Sequence, residues 1–203
     1  MAVRDRISWL LIVAAVAAIA YAALKPPAAV HPVTPPMLAA AGAMSGTRVT
    51  AHSAMGSDGR DHSPASEAAN RPLVLVFIKD GCPCSEAAEP YFRRIHAAYG
   101  ANASILGVID GDLATARDWA RRHGTPYPVL ADPDRTIIEA CKADRSAYAM
   151  LAAPGGQVEA MWPGYSSTML AEVGAGLARL AGVAEINLDT AGAPDEMASG
   201  CSF

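Results

Sequence analysis

The sequence has little charge and few aromatic residues. Charged residues make up 18% of its 203 residues and aromatic residues 6%. Lysine and arginine total 16 against 20 aspartates and glutamates, and a nucleic-acid-binding protein needs the opposite balance, so we expect no nucleic-acid partner. A wholly disordered chain is excluded as well, because disorder requires low hydrophobicity and high net charge. Here 52% of the residues are hydrophobic and the net charge is −4.

An apolar run without charge occupies residues 7–24, with two arginines before it and a lysine after it. Its length is about that needed to cross ~30 Å of hydrocarbon as a helix. Basic residues before the run predict that residues 1–6 are cytoplasmic and that the rest of the chain is exported. We expect a single-pass transmembrane signal anchor. The alternative is a cleaved signal peptide, because residues 20–22 read Ala-Tyr-Ala, which resembles a cleavage site.

Residues 25–55 have the composition of a linker, with many prolines, alanines, serines and glycines and few large aliphatic residues. Such a segment buries too little apolar surface to offset the entropy lost on ordering. We therefore expect a flexible linker here, followed by a folded domain at 56–183. Its methionines and nearby histidines are of the types that bind copper, but they form no tight repeat, and the linker interpretation is preferred.

From residue 71 the pattern becomes that of an α/β domain. Leu73–Ile78 is a run of six apolar residues without alternation, which is typical of a strand covered on both faces. Helical spacing follows over 86–99, and Gly100 is a stop signal. The remaining predicted elements are a strand at 105–109, a helix at 113–123, a short apolar piece at 128–130, a helix at 136–141, a hairpin at 148–152 and 157–162, and a helix at 167–180. This order predicts a three-layer α/β/α sandwich.

Two cysteines lie where the first of these strands meets its helix. Cys82 and Cys84 flank Pro83, which suits the first turn of a helix because it needs no amide donor there. Free amides and the helix dipole stabilise a thiolate at this place, and a thiolate attacks disulfides and binds metals. We expect a reactive pair, with a lower pKa at Cys82 than at Cys84. The alternative is a buried or bridged structural pair, although a bridge between residues two apart would be strained and therefore reducible.

The segment LVLVFIKDGCPCSEAAEPYF resembles the active-site segment of the thioredoxin-like superfamily, especially its membrane-tethered redoxin and peroxiredoxin-like (AhpC/TSA-type) bacterial members. The resemblance covers about residues 56–180, and Pro90 lies eight residues after Cys82, where thioredoxins kink the active-site helix. It implies a thioredoxin-like three-layer fold and the attacking role for Cys82. It also implies a protein of the bacterial inner membrane whose C-terminal domain lies in the periplasm.

The family's second active-site cysteine is replaced here by Ser85, so the resolving role must pass to another thiol. Cys84 and Cys141 are the candidates, and Cys141 lies in a region that in the family approaches the active site. The alternative for Cys141 is a small buried hydrophobic residue. Cys201 lies in an acidic tail at 184–203 that has no lysine or arginine. We expect it to be an accessory thiol that forms a disulfide, within the chain or with a partner, or contacts a metal.

Other positions also depart from the family's pattern. Ala147 stands at the family's cis-proline position, where we expect a trans bond because a cis bond before a non-proline residue is costly. Val76 stands where thioredoxins carry a buried acidic proton acceptor. Peroxidase chemistry lacks support, because the Thr or Ser expected three residues before the attacking cysteine is Lys79 for Cys82 and Gly81 for Cys84.

Two functions from different classes follow from these features. The first is a membrane-anchored, exported thiol–disulfide oxidoreductase that requires no cofactor. Its partners would be exported proteins with cysteine pairs or a membrane redox partner. The second is non-enzymatic: a Cu(I) carrier that uses Cys82 and Cys84, or an accessory subunit of a membrane complex. The lost C-x-x-C pair and cis-proline favour the second, whereas the reactive placement of the cysteines favours the first, which is our main expectation.

Overall fold

The structure is a computed structural model and describes residues 31–203. Residues 1–6 and the predicted signal anchor at 7–24 lie outside the described residues. Within residues 31–203, every helix is too short or too polar to span a lipid bilayer.

The described chain contains nine strands and six helices. The strands are β1 (His31–Pro32), β2 (Ala54–Met55), β3 (Asp61–His62), β4 (Leu73–Ile78), β5 (Ser104–Ile109), β6 (Val129–Ala131), β7 (Ala149–Ala152), β8 (Val158–Trp162) and β9 (Ala198–Ser199). The helices are α1 (Pro35–Gly42), α2 (Pro64–Glu67), α3 (Pro83–Tyr99), α4 (Leu113–His123), α5 (Thr136–Ala140) and α6 (Ser167–Ala181). Every strand and helix that the sequence predicts between residues 71 and 181 is present, with small shifts of boundary.

A five-stranded sheet in the order β6-β5-β4-β7-β8 forms the centre of the fold. β4, β5 and β6 run parallel, as expected for strands joined by helices, whereas β7 pairs antiparallel with both β4 and β8. The two smaller sheets each contain two strands, β2 with β3 and β1 with β9. The last pairing joins the beginning of the described chain to its C-terminal segment.

Both faces of the central strand β4 are buried, which explains its unbroken apolar sequence. Alternate side chains point to opposite faces and enter two separate cores. The site-side core contains Val74, Val76 and Ile78 with residues of α3 and α6. The far-side core contains Leu73, Leu75 and Phe77 with residues of α1 and α5. Helices thus cover the sheet on both sides, in the predicted three-layer arrangement.

The structure corrects the predicted flexible linker over residues 31–55. Pro35 and Pro36 begin helix α1 after the N-cap residue Thr34, because a proline at the first helical positions removes no hydrogen bond. Ala41 and Met44 are buried in the far-side core. A few apolar side chains are therefore enough to dock this segment, because they pack against the apolar face of the central sheet.

The C-terminal tail (residues 184–203) is also docked along the domain. Side chains of α3 hold its backbone, and one of its acidic residues, Asp189, forms an ion pair with Arg94 at 3.5 Å. The hydrogen bonds join Tyr99 to the amide of Ile186, Arg94 to the carbonyl of Asp189 and Tyr91 to the carbonyl of Ala191. The tail then forms β9 and ends beside the N-terminus of α3. The predicted boundary at residue 183 therefore lies between a domain and a tail that pack against each other.

Candidate functional site

Cys82 is the N-cap residue of α3, and Pro83 is the first residue of the helix. The helix thus begins three residues before the predicted position 86. Gly81 has a φ of 69°, in the left-handed region that favours glycine, and it turns the chain from β4 into the helix. The Lys79 amide donates a hydrogen bond of 3.1 Å to the Ser85 hydroxyl, which closes the turn. The sequence therefore places the Cys82 sulfur at the positive end of a 17-residue helix.

The Cys82 sulfur forms three hydrogen bonds with residues far away in the sequence. It is hydrogen-bonded to the Cys201 thiol at 2.9 Å, and the Cys201 backbone amide donates to it at 3.3 Å. The Ser146 hydroxyl donates at 3.3 Å. Cys82 is only 2% exposed. The C-terminal tail and the loop before β7 therefore enclose this thiol.

These contacts separate the pKa values of the cysteines. Burial alone would raise the pKa of Cys82, but the hydrogen bonds from Cys201, Ser146 and the Ser85 amide lower it to about 7. The hydrogen bond to Cys82, together with burial, raises the pKa of Cys201 to about 11. Burial and the adjacent charge of Cys82 raise the pKa of Cys84. The order predicted for Cys82 and Cys84 is the order found, although distant donors as well as the helix end produce it.

Ala147 and Ser146 connect the end of β4 to the tail. The Ala147 amide donates to the Phe77 carbonyl at 2.8 Å, and Ala147 has a φ of 59°. Within residues 31–203 all peptide bonds are trans, including the bond that precedes Ala147, as expected. Ser146 is fully buried, and its backbone exchanges two hydrogen bonds with the tail, through the Cys201 carbonyl at 3.0 Å and the Gly200 amide at 2.9 Å. Ala147 thus positions the residue that holds the tail.

Cys141 does not belong to this group of thiols. It is 1% exposed and lies in the far-side core, on the other side of the central sheet from Cys82 and Cys84. Burial raises its pKa to about 12. The predicted resolving role for Cys141 is therefore corrected to that of a small buried apolar residue, since the sheet separates it from Cys82 and burial favours its neutral thiol.

Glu89 is a buried carboxylate in α3 that the sequence analysis did not identify. It is 2% exposed and accepts hydrogen bonds of 2.6 Å from both the Thr125 hydroxyl and the Tyr127 hydroxyl. Burial raises its pKa, although these two donors oppose the shift. The signal for it was a glutamate on the apolar face of the predicted helix. No local pattern marked Ser146, whose role comes from tertiary contacts alone.

Within residues 31–203, no group of three or more histidine, cysteine, aspartate or glutamate side chains is arranged to hold a metal ion. A two-thiol Cu(I) site at Cys82 and Cys84 stays a prediction. His96 packs against the ring of Tyr127, and His123 packs against the ring of Trp119.

Comparisons with known proteins agree with this architecture. The AhpC/TSA family profile matches residues 46–160. No curated protein matches the chain. A solved structure of a secreted Mycobacterium tuberculosis disulfide oxidoreductase, described as homologous to E. coli DsbE, has a TM-score of 0.54 at 19% identity and covers 64% of this chain and 96% of that one.

Two further solved structures are similar. The Xanthomonas campestris bacterioferritin comigratory protein, studied for alkyl peroxide reduction, has a TM-score of 0.53 at 22% identity, over 64% of this chain and 89% of that one. A conserved Geobacillus kaustophilus protein has a TM-score of 0.62 at 16% identity, over 78% of this chain and 90% of that one. At such identities these likenesses show the fold, which is mixed α/β and thioredoxin-like.

Proposed function

Since the chain belongs to the AhpC/TSA family, we propose that it is a thiol–disulfide oxidoreductase in which the Cys82 thiolate attacks a disulfide of a substrate protein. The observation that carries this proposal is the Cys82 sulfur, which caps a helix, has a pKa lowered to about 7 and lies 2.9 Å from a second thiol. A thiolate that is populated at neutral pH and has a second thiol in reach meets the requirements of disulfide exchange.

The surroundings of Cys82 favour disulfide exchange over peroxide reduction. The side chain three residues before it, Lys79, forms an ion pair with Asp110 at 3.3 Å. The hydroxyl that contacts Cys82 comes instead from Ser146, which also pairs with an extended segment of chain. A thiolate beside an edge that binds extended backbone is suited to a polypeptide substrate.

We also propose that the protein is anchored in a bacterial inner membrane by residues 7–24, with its domain in the periplasm. The support is the charge-free run with basic residues before it. Its substrates would be exported proteins with cysteine pairs, and a membrane redox partner would restore its thiols. Membrane fractionation and protease digestion of spheroplasts test this placement. Recovery of the full-length chain in the soluble fraction would contradict it.

Reduction of insulin disulfides by the full-length protein in detergent, with dithiothreitol as reductant, tests the catalytic proposal. We expect the Cys82→Ser variant to lose at least about 99% of the activity, because the attacking sulfur is gone. Cys141→Ala is the matched control, since it removes a cysteine from the far-side core, and it should keep the activity. Full activity of Cys82→Ser would refute the proposal. An inactive wild-type protein that binds one Cu(I) through Cys82 and Cys84 would support the carrier function instead.

A further inference from the structure

We propose that Cys201 is the resolving thiol of Cys82 and that the C-terminal tail delivers it by docking as an internal substrate. This inference rests on the proposed function, because it assigns the second half of the same exchange reaction. It makes the tail both the cover of the reactive thiol and the carrier of its redox partner.

The tail is held as a substrate peptide would be, by backbone hydrogen bonds on both of its edges. Ser146 pairs with Gly200 and Cys201 as described above. Tyr165 exchanges two hydrogen bonds of 2.9 Å with Ala198. On its other side, β9 pairs antiparallel with β1. An extended segment that adds itself to exposed backbone is a known mode of peptide recognition, and here it aims the Cys201 thiol at Cys82.

The close approach of the two backbones requires glycine at two places. A Cβ atom at Gly200 would lie 2.1 Å from the Ser146 hydroxyl oxygen and 2.6 Å from the Ser146 carbonyl oxygen. A Cβ atom at Gly164 would lie 2.4 Å from the Ala198 carbonyl oxygen. Since real Cβ atoms are not found so close to backbone, both sites fit the tail only as glycines. The groove and the tail are therefore matched in shape as well as in hydrogen bonding.

The burial of Cys82 defines the order of events. A disulfide from outside reaches this thiol only when the tail has left, because Cys82 is 2% exposed with the tail in place. The Cys82 thiolate then attacks one sulfur of the substrate disulfide, which forms a mixed disulfide and releases the first substrate thiolate. When the tail returns, the Cys201 thiolate attacks the Cys82 sulfur and releases the second substrate thiolate.

Two electrons pass from the two protein thiols to the substrate disulfide in this sequence. The two protons lost by Cys82 and Cys201 go to the two departing substrate thiolates. A dithiol of another protein reverses the exchange and returns the pair to its reduced form. Cys84 is a poorer resolving thiol, because a bridge to a residue two positions away closes a strained ring.

Single-turnover trapping of mixed disulfides in the full-length protein tests the inference. A disulfide-containing peptide is added to the reduced wild type, Cys201→Ser and Cys84→Ser proteins, and the adducts are quenched with acid and identified by mass spectrometry. We expect the mixed disulfide at Cys82 to persist at least about tenfold longer in Cys201→Ser, whereas Cys84→Ser resolves it as the wild type does. Peptide mapping of the oxidised wild type should give a Cys82–Cys201 disulfide.

The failures of the two proposals are distinguishable in this experiment. Persistence of the adduct in Cys84→Ser, or a mapped Cys82–Cys84 disulfide, would overturn the role of Cys201 and leave the proposed function intact. The lack of any adduct at Cys82 in all three proteins would overturn the proposed function itself.

Substitution at Gly200 tests the docking separately. Gly200→Ala should increase the alkylation rate of Cys82 about tenfold at alkaline pH, where the thiolate fraction does not limit the rate, because the added methyl group expels the tail. Gly42→Ala is the matched control, since a Cβ atom there meets nothing within 4 Å. Equal alkylation rates in Gly200→Ala and the wild type would show that the tail does not cover Cys82.

Discussion

The Ser146 hydroxyl gives the sharpest test of how the pKa of Cys82 is lowered. Ser146→Ala removes the donor that lies 3.3 Å from the Cys82 sulfur and adds no volume to a fully buried position. The backbone hydrogen bonds of residue 146 to the tail are unchanged by the substitution. The variant should therefore keep the tail docked and change the electrostatic environment of Cys82 alone.

The size of the effect follows from the strength of one hydrogen bond. A bond of this kind contributes about 0.5 to 1.5 kcal/mol, and one pKa unit corresponds to about 1.36 kcal/mol. The pKa of Cys82 should rise from about 7 by roughly 0.4 to 1.1 units. At about pH 6 the thiolate fraction, and with it the rate of alkylation, should fall roughly two- to tenfold.

Iodoacetamide alkylation of the reduced protein across a pH series is the suitable assay, with quantification of the Cys82 peptide by mass spectrometry. This readout separates Cys82 from Cys84 and Cys201, which a total thiol titration does not. The rates of Ser146→Ala and the wild type should converge at alkaline pH, because the thiolate form is then complete in both proteins.

Ser199→Ala is the control, because it removes a buried hydroxyl from the same tail that is not among the hydrogen-bond donors to Cys82. It should leave the alkylation profile unchanged. A Cys82 pKa in Ser146→Ala equal to that of the wild type would refute the reasoning. It would mean that the helix end and Cys201 alone stabilise the thiolate.

Two further predictions concern buried groups away from the site. Cys141→Ala should lower the free energy of unfolding by about 1–2 kcal/mol in urea titrations and leave disulfide exchange unchanged, because it only opens a small cavity in the far-side core. A change in the rate of disulfide exchange would show that Cys141 takes part in the reaction. Because burial raises the folded-state pKa of Glu89, its contribution to stability is fully present below the unfolded pKa of about 4.3 and is lost as pH rises through the folded value. The stability of Glu89→Gln relative to the wild type should therefore increase with pH over that range, and a constant difference would contradict the raised pKa.

The sequence was most informative where a local pattern is enough to define structure. Leu73–Ile78 forms β4 with the predicted boundaries, because a short run of six apolar, mostly β-favouring residues suits a strand buried on both faces. Pro83 likewise indicated that the first helical turn lies beside Cys82, since proline fits that turn, although the apolar spacing placed the helix start at residue 86. The order of strands and helices predicted the three-layer sandwich, and the resemblance of residues 73–92 implied its thioredoxin-like form, whereas the reactivity of Cys82 stays a prediction.

The sequence was least informative where contacts join distant segments. Residues 35–44 dock through a few apolar side chains such as Ala41 and Met44. The composition of this segment is that of a linker and gave no sign of the docking. The partners of Cys82 lie 64 and 119 positions away, at Ser146 and Cys201, and no periodicity or spacing relates residues so far apart. Composition correctly described the tail as acidic, but it did not predict that backbone hydrogen bonds and apolar side chains such as Leu188 and Met197 would dock it on the domain.

The separation of Cys82 and Cys201 along the chain also matters for the unfolded state. Four of the five central strands, β5 to β8, lie between these two residues. A disulfide between them would close a loop of about 120 residues. The lost chain entropy would raise the free energy of the unfolded state by about 5 kcal/mol. The oxidised protein would then resist thermal unfolding far better than the reduced protein. The redox state of one cysteine pair would in this way set the lifetime of the folded domain in its compartment.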